Sequence, residues 1–86
     1  MASIATHQPN PAHCSDREWL NLWAQTAGGF AVRDGELILL APIEGRPENA
    51  AFNSPEQVAL RRNLLAHMTP ARRQRMAEMI EREALP

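Results

Sequence analysis

Lysine and tyrosine are absent from this chain of 86 residues, and cysteine occurs once. Without lysine there is no P-loop, whose lysine must reach the outer phosphates of a nucleotide, and no Schiff-base or pyridoxal chemistry, which starts from a lysine amine. The nine Lys/Arg positions are all arginine, a bias that, with frequent Ala and Pro, fits GC-rich coding of a bacterial or bacteriophage kind. A single cysteine, Cys14, excludes an internal disulfide and fits a reducing, cytoplasmic setting. No stretch approaches the ~20 apolar residues of a membrane span, and the opening residues lack the basic start and apolar run of a secretory leader.

Motifs that carry chemistry are missing as well. His7, His13 and Cys14 form no CxxC or HExxH pattern and have no second cluster at zinc spacing, so neither a metal nor a cofactor is expected. Nothing beside Cys14 would lower its pKa, and no nucleophile elbow or oxyanion signature accompanies it. Asp16, Glu18 and Glu56 are taken up by helix starts and Asp34 by a turn, which leaves no marked pair of carboxylates for acid–base work. The chain reads as non-enzymatic, without a small-molecule substrate. Its net charge of −1 gives no overall attraction to nucleic acid or to a membrane surface, so ionic recognition would need local clusters.

What is present predicts one small α+β domain over residues 14–86, ordered helix, β-hairpin, helix, helix, behind a flexible arm at residues 1–13 whose composition cannot offset its ordering entropy. Ser15 and Glu18 form a capping box that starts the first helix, and Gly28-Gly29 stops it. Phe30 to Arg33 and Glu36 to Ala41 flank Asp34-Gly35, a two-residue loop of the type I′ kind. Pro42 and Pro47 bracket a loop, with Phe52 placed to pin it to the core. Ser54-Pro55-Glu56-Gln57 starts a second helix running to about Met68. Thr69-Pro70 then starts a third, to about Ala84, across a junction short enough for a helix-turn-helix-like corner.

The strand Leu37-Ile38-Leu39-Leu40-Ala41 is apolar on both faces, more than a lone hairpin can hide. A domain of this size shelters only about 60% of its unfolded surface, so a partner or a second copy would supply the missing cover. Trp19 and Trp23 share a helical face about 200° wide together with Leu20, Leu22, Ala24 and Ala27; core packing is expected, with one indole half exposed at an interface. Met68, Met76 and Met79 read as core filler. Arg61 falls inside the apolar arc of the second helix beside Leu60, Leu64 and Leu65, and must either snorkel or pair internally, or anchor an interface. Arg72 and Arg73 stand at the positive end of the third helix, an unfavourable place; with Arg62 they would make a contact site for an anion or an acidic partner, or else sit beside the carbonyl end of the second helix.

These features lead to a protein–protein interaction module, a small regulator or inhibitor that masks a surface of another protein through Trp19, Trp23, Ile38, Leu40 and Arg61. A homodimer through the hairpin edge would satisfy the same need for burial. The alternative is a nucleic-acid-binding regulator that uses the corner between helices 54–68 and 70–84, against which stand the near-neutral charge and the acidic second half of the last helix.

Overall fold

Ser15 opens the first helix through a complete capping box. Its hydroxyl accepts from the Glu18 N–H at 3.1 Å, and the Glu18 carboxylate accepts from the Ser15 N–H at 2.8 Å; the bond from the Ser15 N–H, aided by the Ser15 side chain, holds the Glu18 carboxyl below its usual pKa. In a computed structural model, which describes residues 10–84, the order is α1 (Asp16–Gln25), β1 (Gly29–Arg33), β2 (Glu36–Leu40), a six-residue 3₁₀ segment (Pro47–Phe52), α2 (Pro55–Ala66) and α3 (Pro70–Ala84). The predicted α+β order of helix, hairpin, helix, helix is present. The 3₁₀ segment was not expected; it is held where the Asn49 and Asn53 amides both donate to the Ile43 carbonyl at 3.2 Å. Of the predicted arm, residues 1–9 lie outside the described residues. Asn10–His13 form a hydrogen-bonded turn that buries Pro11.

The core gathers around the two tryptophans. Trp19 and Trp23, one turn apart on α1, stack with ring centroids 5.6 Å apart and an interplanar angle of 14°. They are 0% and 2% exposed, which corrects the expectation of a half-exposed indole. Each N–H is satisfied inside, Trp19 by the Leu64 carbonyl at 3.0 Å and Trp23 by the Gly29 carbonyl at 2.9 Å. A buried tryptophan removes roughly 200 Å² from water, an upper limit of about 5 kcal/mol at about 25 cal/mol/Å². Cys14, Leu20, Leu22, Leu37, Leu64, Met76 and Ala77 complete the buried cluster, with Val32, Leu39, Leu60, Met68, Met79 and Ile80 packed around it.

The hairpin is antiparallel in the register Gly29↔Leu40 to Arg33↔Glu36. Asp34 and Gly35 turn it with φ of 53° and 79°, as a type I′ loop requires. Because side chains alternate, Val32, Leu37 and Leu39 share the face covered by α3, whereas Ala31, Ile38 and Leu40 share the other. Among the described residues, helices therefore seal one side of the ribbon only.

The end of α1 also departs from expectation. Gly28 donates to the Trp23 carbonyl and Ala27 to the Ala24 carbonyl, both at 3.1 Å, the pair of bonds of a Schellman motif. The left-handed position of that motif is Ala27, with φ of 63°, and not a glycine. Gly28 is required for space: a Cβ there would lie 2.4 Å from Trp23 Nε1. Opposite effects are thus expected from two neighbouring substitutions in chemical denaturation. Ala27→Gly raises stability by about 0.5–1 kcal/mol by relieving the backbone, and Gly28→Ala lowers it by about 1–3 kcal/mol by displacing the indole.

Candidate protein-interaction surface

The exposed apolar side chains concentrate on β2 and beside it. Leu40 is 61% and Ile38 37% exposed on the uncovered face of the hairpin. A shallow groove runs along the outer edge of β2, lined by Trp23, Leu37, Leu39, Ala41, Leu65 and Arg73 among others. Leu65, assigned to the core arc of the second helix by its periodicity, is instead 47% exposed. Helix α2 packs mainly on α1, and a stripe only as wide as that contact leaves Leu65 on its rim. Phe30, Ile43 and Phe52 are exposed as well, and Phe52 does not pin its loop through its ring.

Arg61 is not part of this surface. It is 4% exposed, and its guanidinium donates to the Thr26 carbonyl at 2.7 Å, to the Phe52 carbonyl at 3.1 Å and to the Asn53 side-chain oxygen. Those three acceptors belong to the end of α1, the 3₁₀ segment and the residue after it, so one side chain of α2 holds three parts of the chain. The Thr26 carbonyl lies at the negative end of α1, which favours a cation there. The arginine pairs internally with carbonyl oxygens, and the interface-anchor expectation is corrected accordingly.

The arginines expected to gather at an anion site are dispersed. Arg72 Nε donates to Asp16 at 3.0 Å, while its other nitrogens reach the Cys14 carbonyl at 2.6 Å and the Pro11 carbonyl at 3.3 Å. Arg75 adds bonds of 2.9 and 3.1 Å to the same carboxylate. The unfavourable charges at the start of α3 are thus relieved by an aspartate at the favourable start of α1, and Arg72 and Arg75 also lie beside the end of α2 at Ala66 and His67. Arg62 pairs with Glu44 at 3.2 Å on the surface. Arg73 lies apart from both, its NH1 donating to the Leu37 carbonyl at 2.6 Å on the edge of β2. The N-terminus of α3 is closed by Thr69, which accepts from the Arg72 N–H at 3.0 Å.

Among the described residues no group of three His, Cys, Asp or Glu stands close enough to hold a metal, and no helix is long and apolar enough to cross a membrane. Cys14 is buried as a free thiol. His67, at the end of α2, contacts the Asn63 carbonyl through Nδ1 at 3.0 Å.

Two expected outcomes follow from these contacts. Arg61→Ala leaves one buried and two part-buried acceptors without their donor and lowers stability by about 2–4 kcal/mol in urea denaturation; a change below about 0.5 kcal/mol would mean the guanidinium contributes nothing. The hydrogen bonds from Arg75, joined by its charge and by Arg72, hold the Asp16 carboxyl below the ordinary aspartate range against the opposing effect of burial. A depressed carboxylate contributes stability that is present above the unfolded value, near pH 4, and is lost as pH falls through the lower folded value. Asp16→Asn therefore weakens the protein at pH 7, and the gap between variant and wild type closes as unfolding is followed below about pH 4.

Compared with models of known families, with curated proteins and with solved structures, the chain gives no match.

Proposed function

We propose that the chain is a small non-enzymatic interaction protein, a regulator or inhibitor of bacterial or bacteriophage type, that covers a surface of another protein with the open face and free edge of its hairpin. The observation that carries this reading is the row Ile38 and Leu40, side by side on an uncovered sheet face, with Leu65 lining the groove at the strand's edge. Single exposed apolar residues are ordinary on a protein surface, but a contiguous set next to an unpaired strand is the usual composition of a binding patch. A buried free thiol suits a reducing compartment such as the cytoplasm. Pairing of two β2 edges about a two-fold axis would hide some of the same residues and leave the open face for a further partner.

Nucleic-acid binding is the weaker reading. Of the arginines it would place on phosphates, Arg72 and Arg75 are engaged by Asp16 and Arg62 by Glu44, while Arg73 donates to the Leu37 carbonyl. Moreover α3 packs chiefly on the hairpin and α1, which is not how the second helix of a helix-turn-helix is presented to a groove.

Affinity capture from a GC-rich bacterial lysate, with wild type and Ile38→Glu as baits, tests the main reading. One specific protein should be retained by wild type and lost by the variant, with far-UV circular dichroism unchanged. Equal retention by both baits would place the contact elsewhere.

A further inference from the structure

We propose that the open face of the hairpin is self-complementary and that a second copy of this chain covers it, the two ribbons stacked about a two-fold axis parallel to their strands. This rests on the reading of that face as a binding surface and names one occupant of it; the β2 edge stays free for another protein.

The register decides which side chains meet. On the uncovered face β1 presents Gly29, Ala31 and Arg33, and their cross-strand neighbours on β2 are Leu40, Ile38 and Glu36 in that order. A Cβ added to Gly29 would stand 3.6 Å from the Leu40 Cβ, which puts both positions on one face. None of the six residues is buried. Along one ladder, then, β1 offers two small groups and a cation where β2 offers two large apolar groups and an anion. A half-turn about an axis along the ribbon lays β1 of one copy on β2 of the other without shifting either along its length. Leu40 comes over the other copy's Gly29, Ile38 over its Ala31 and Arg33 over its Glu36, and each contact occurs twice, as an isologous interface requires. Sheets that pack face to face in near alignment stand about 10 Å apart, a gap that large side chains set opposite small ones fill without clash.

The charges select the same axis. Among the described residues neither Arg33 nor Glu36 belongs to an ion pair within 4.0 Å. Stacked in this way, the two arginines and two glutamates make a square of alternating sign at the turn end of the ribbons. A half-turn about an axis across the strands does the reverse: it lays Ile38 on Ile38, Ala31 on Ala31 and Glu36 against Leu40. A net charge of −1 raises no long-range barrier between copies.

Two strands of five residues present a face of about 10 by 17 Å. That is small beside the ~800 Å² each partner gives to a standard interface, so the association is weak, with a Kd of about 100 µM. At the concentrations of a lysate capture such a dimer is dissociated and the face is open to another protein.

Sedimentation equilibrium of the whole chain from about 10 µM to about 1 mM, beside variants of this face with unchanged far-UV circular dichroism, tests the proposal. Wild type should pass from monomer to dimer. Arg33→Glu and Glu36→Arg should each raise Kd at least about tenfold, and an equimolar mixture of the two should regain the dimer, because each supplies the sign the other lacks. Ala31→Leu should weaken the dimer by setting one large side chain against another; stacking of β1 on β1, or unspecific association, would be strengthened by the added apolar group. A wild type still monomeric at about 1 mM, a dimer that Ala31→Leu strengthens, or one indifferent to both charge reversals would each overturn the proposal. So would a dimer whose formation slows exchange of the Leu39 N–H, because the copies would then be joined by their edges. If wild type stays monomeric while Ile38→Glu loses the lysate protein, this proposal fails and the interaction role stands; a dimer of the expected behaviour with no protein captured gives the converse.

Discussion

A two-stranded ribbon whose second strand is apolar on both sides has two faces and two edges to cover, and among the described residues the helices cover one face. That shortage governs the rest of the structure. Leu37 and Leu39 are drawn against α3 and the tryptophan cluster, which commits Ile38 and Leu40 to the opposite side by the alternation of the strand alone. With the inward face anchored by a fully buried Leu37, a shift of one residue in register would expose the wrong set, so the location of the uncovered surface is fixed by the core itself.

The interior achieves its closure with arginines used as ties. Arg61 gathers the end of α1 and the approach to α2 around one guanidinium, and Arg72 fastens α3 to the turn at Pro11 to Cys14 and to Asp16. A planar group with five donors can satisfy several carbonyl oxygens at once, which a lysine cannot do with the same geometry. In a domain this thin, these contacts substitute for apolar bulk between segments that otherwise touch little. They also account for why the basic residues do not collect into an anion-binding face.

Much of the fold was legible because its signals are local. Capping boxes at Ser15 and Ser54, the Asp34-Gly35 turn and the Thr69-Pro70 start each involve residues within three positions of one another, and each is found where the sequence placed it. Contacts set by distant partners were not legible. Nothing near Asp16 announces that it meets side chains 56 and 59 positions away, and nothing near Arg61 distinguishes a buried tie from an interface anchor. The sequence spacing of the two tryptophans leads one to expect one indole half exposed, yet their stacking on each other lets one pocket serve both rings. At the surface, Ile38 and Leu40 are exposed as their strand pattern implied, whereas Leu65 and Arg73 join the groove only through tertiary placement. Pro47 at a first-turn position with Asn49 and Asn53 four apart was the available signal for the missed 3₁₀ segment.

The open edge of β2 is the central claim, and amide hydrogen exchange along that strand in the free protein measures it directly. Slow exchange at Ile38, whose N–H is bonded to β1, beside fast exchange at Leu39, whose N–H faces the groove, is the predicted alternation. Equal and concentration-independent protection of both amides would mean that the chain covers this edge by itself, and the surface assigned to a partner would not exist.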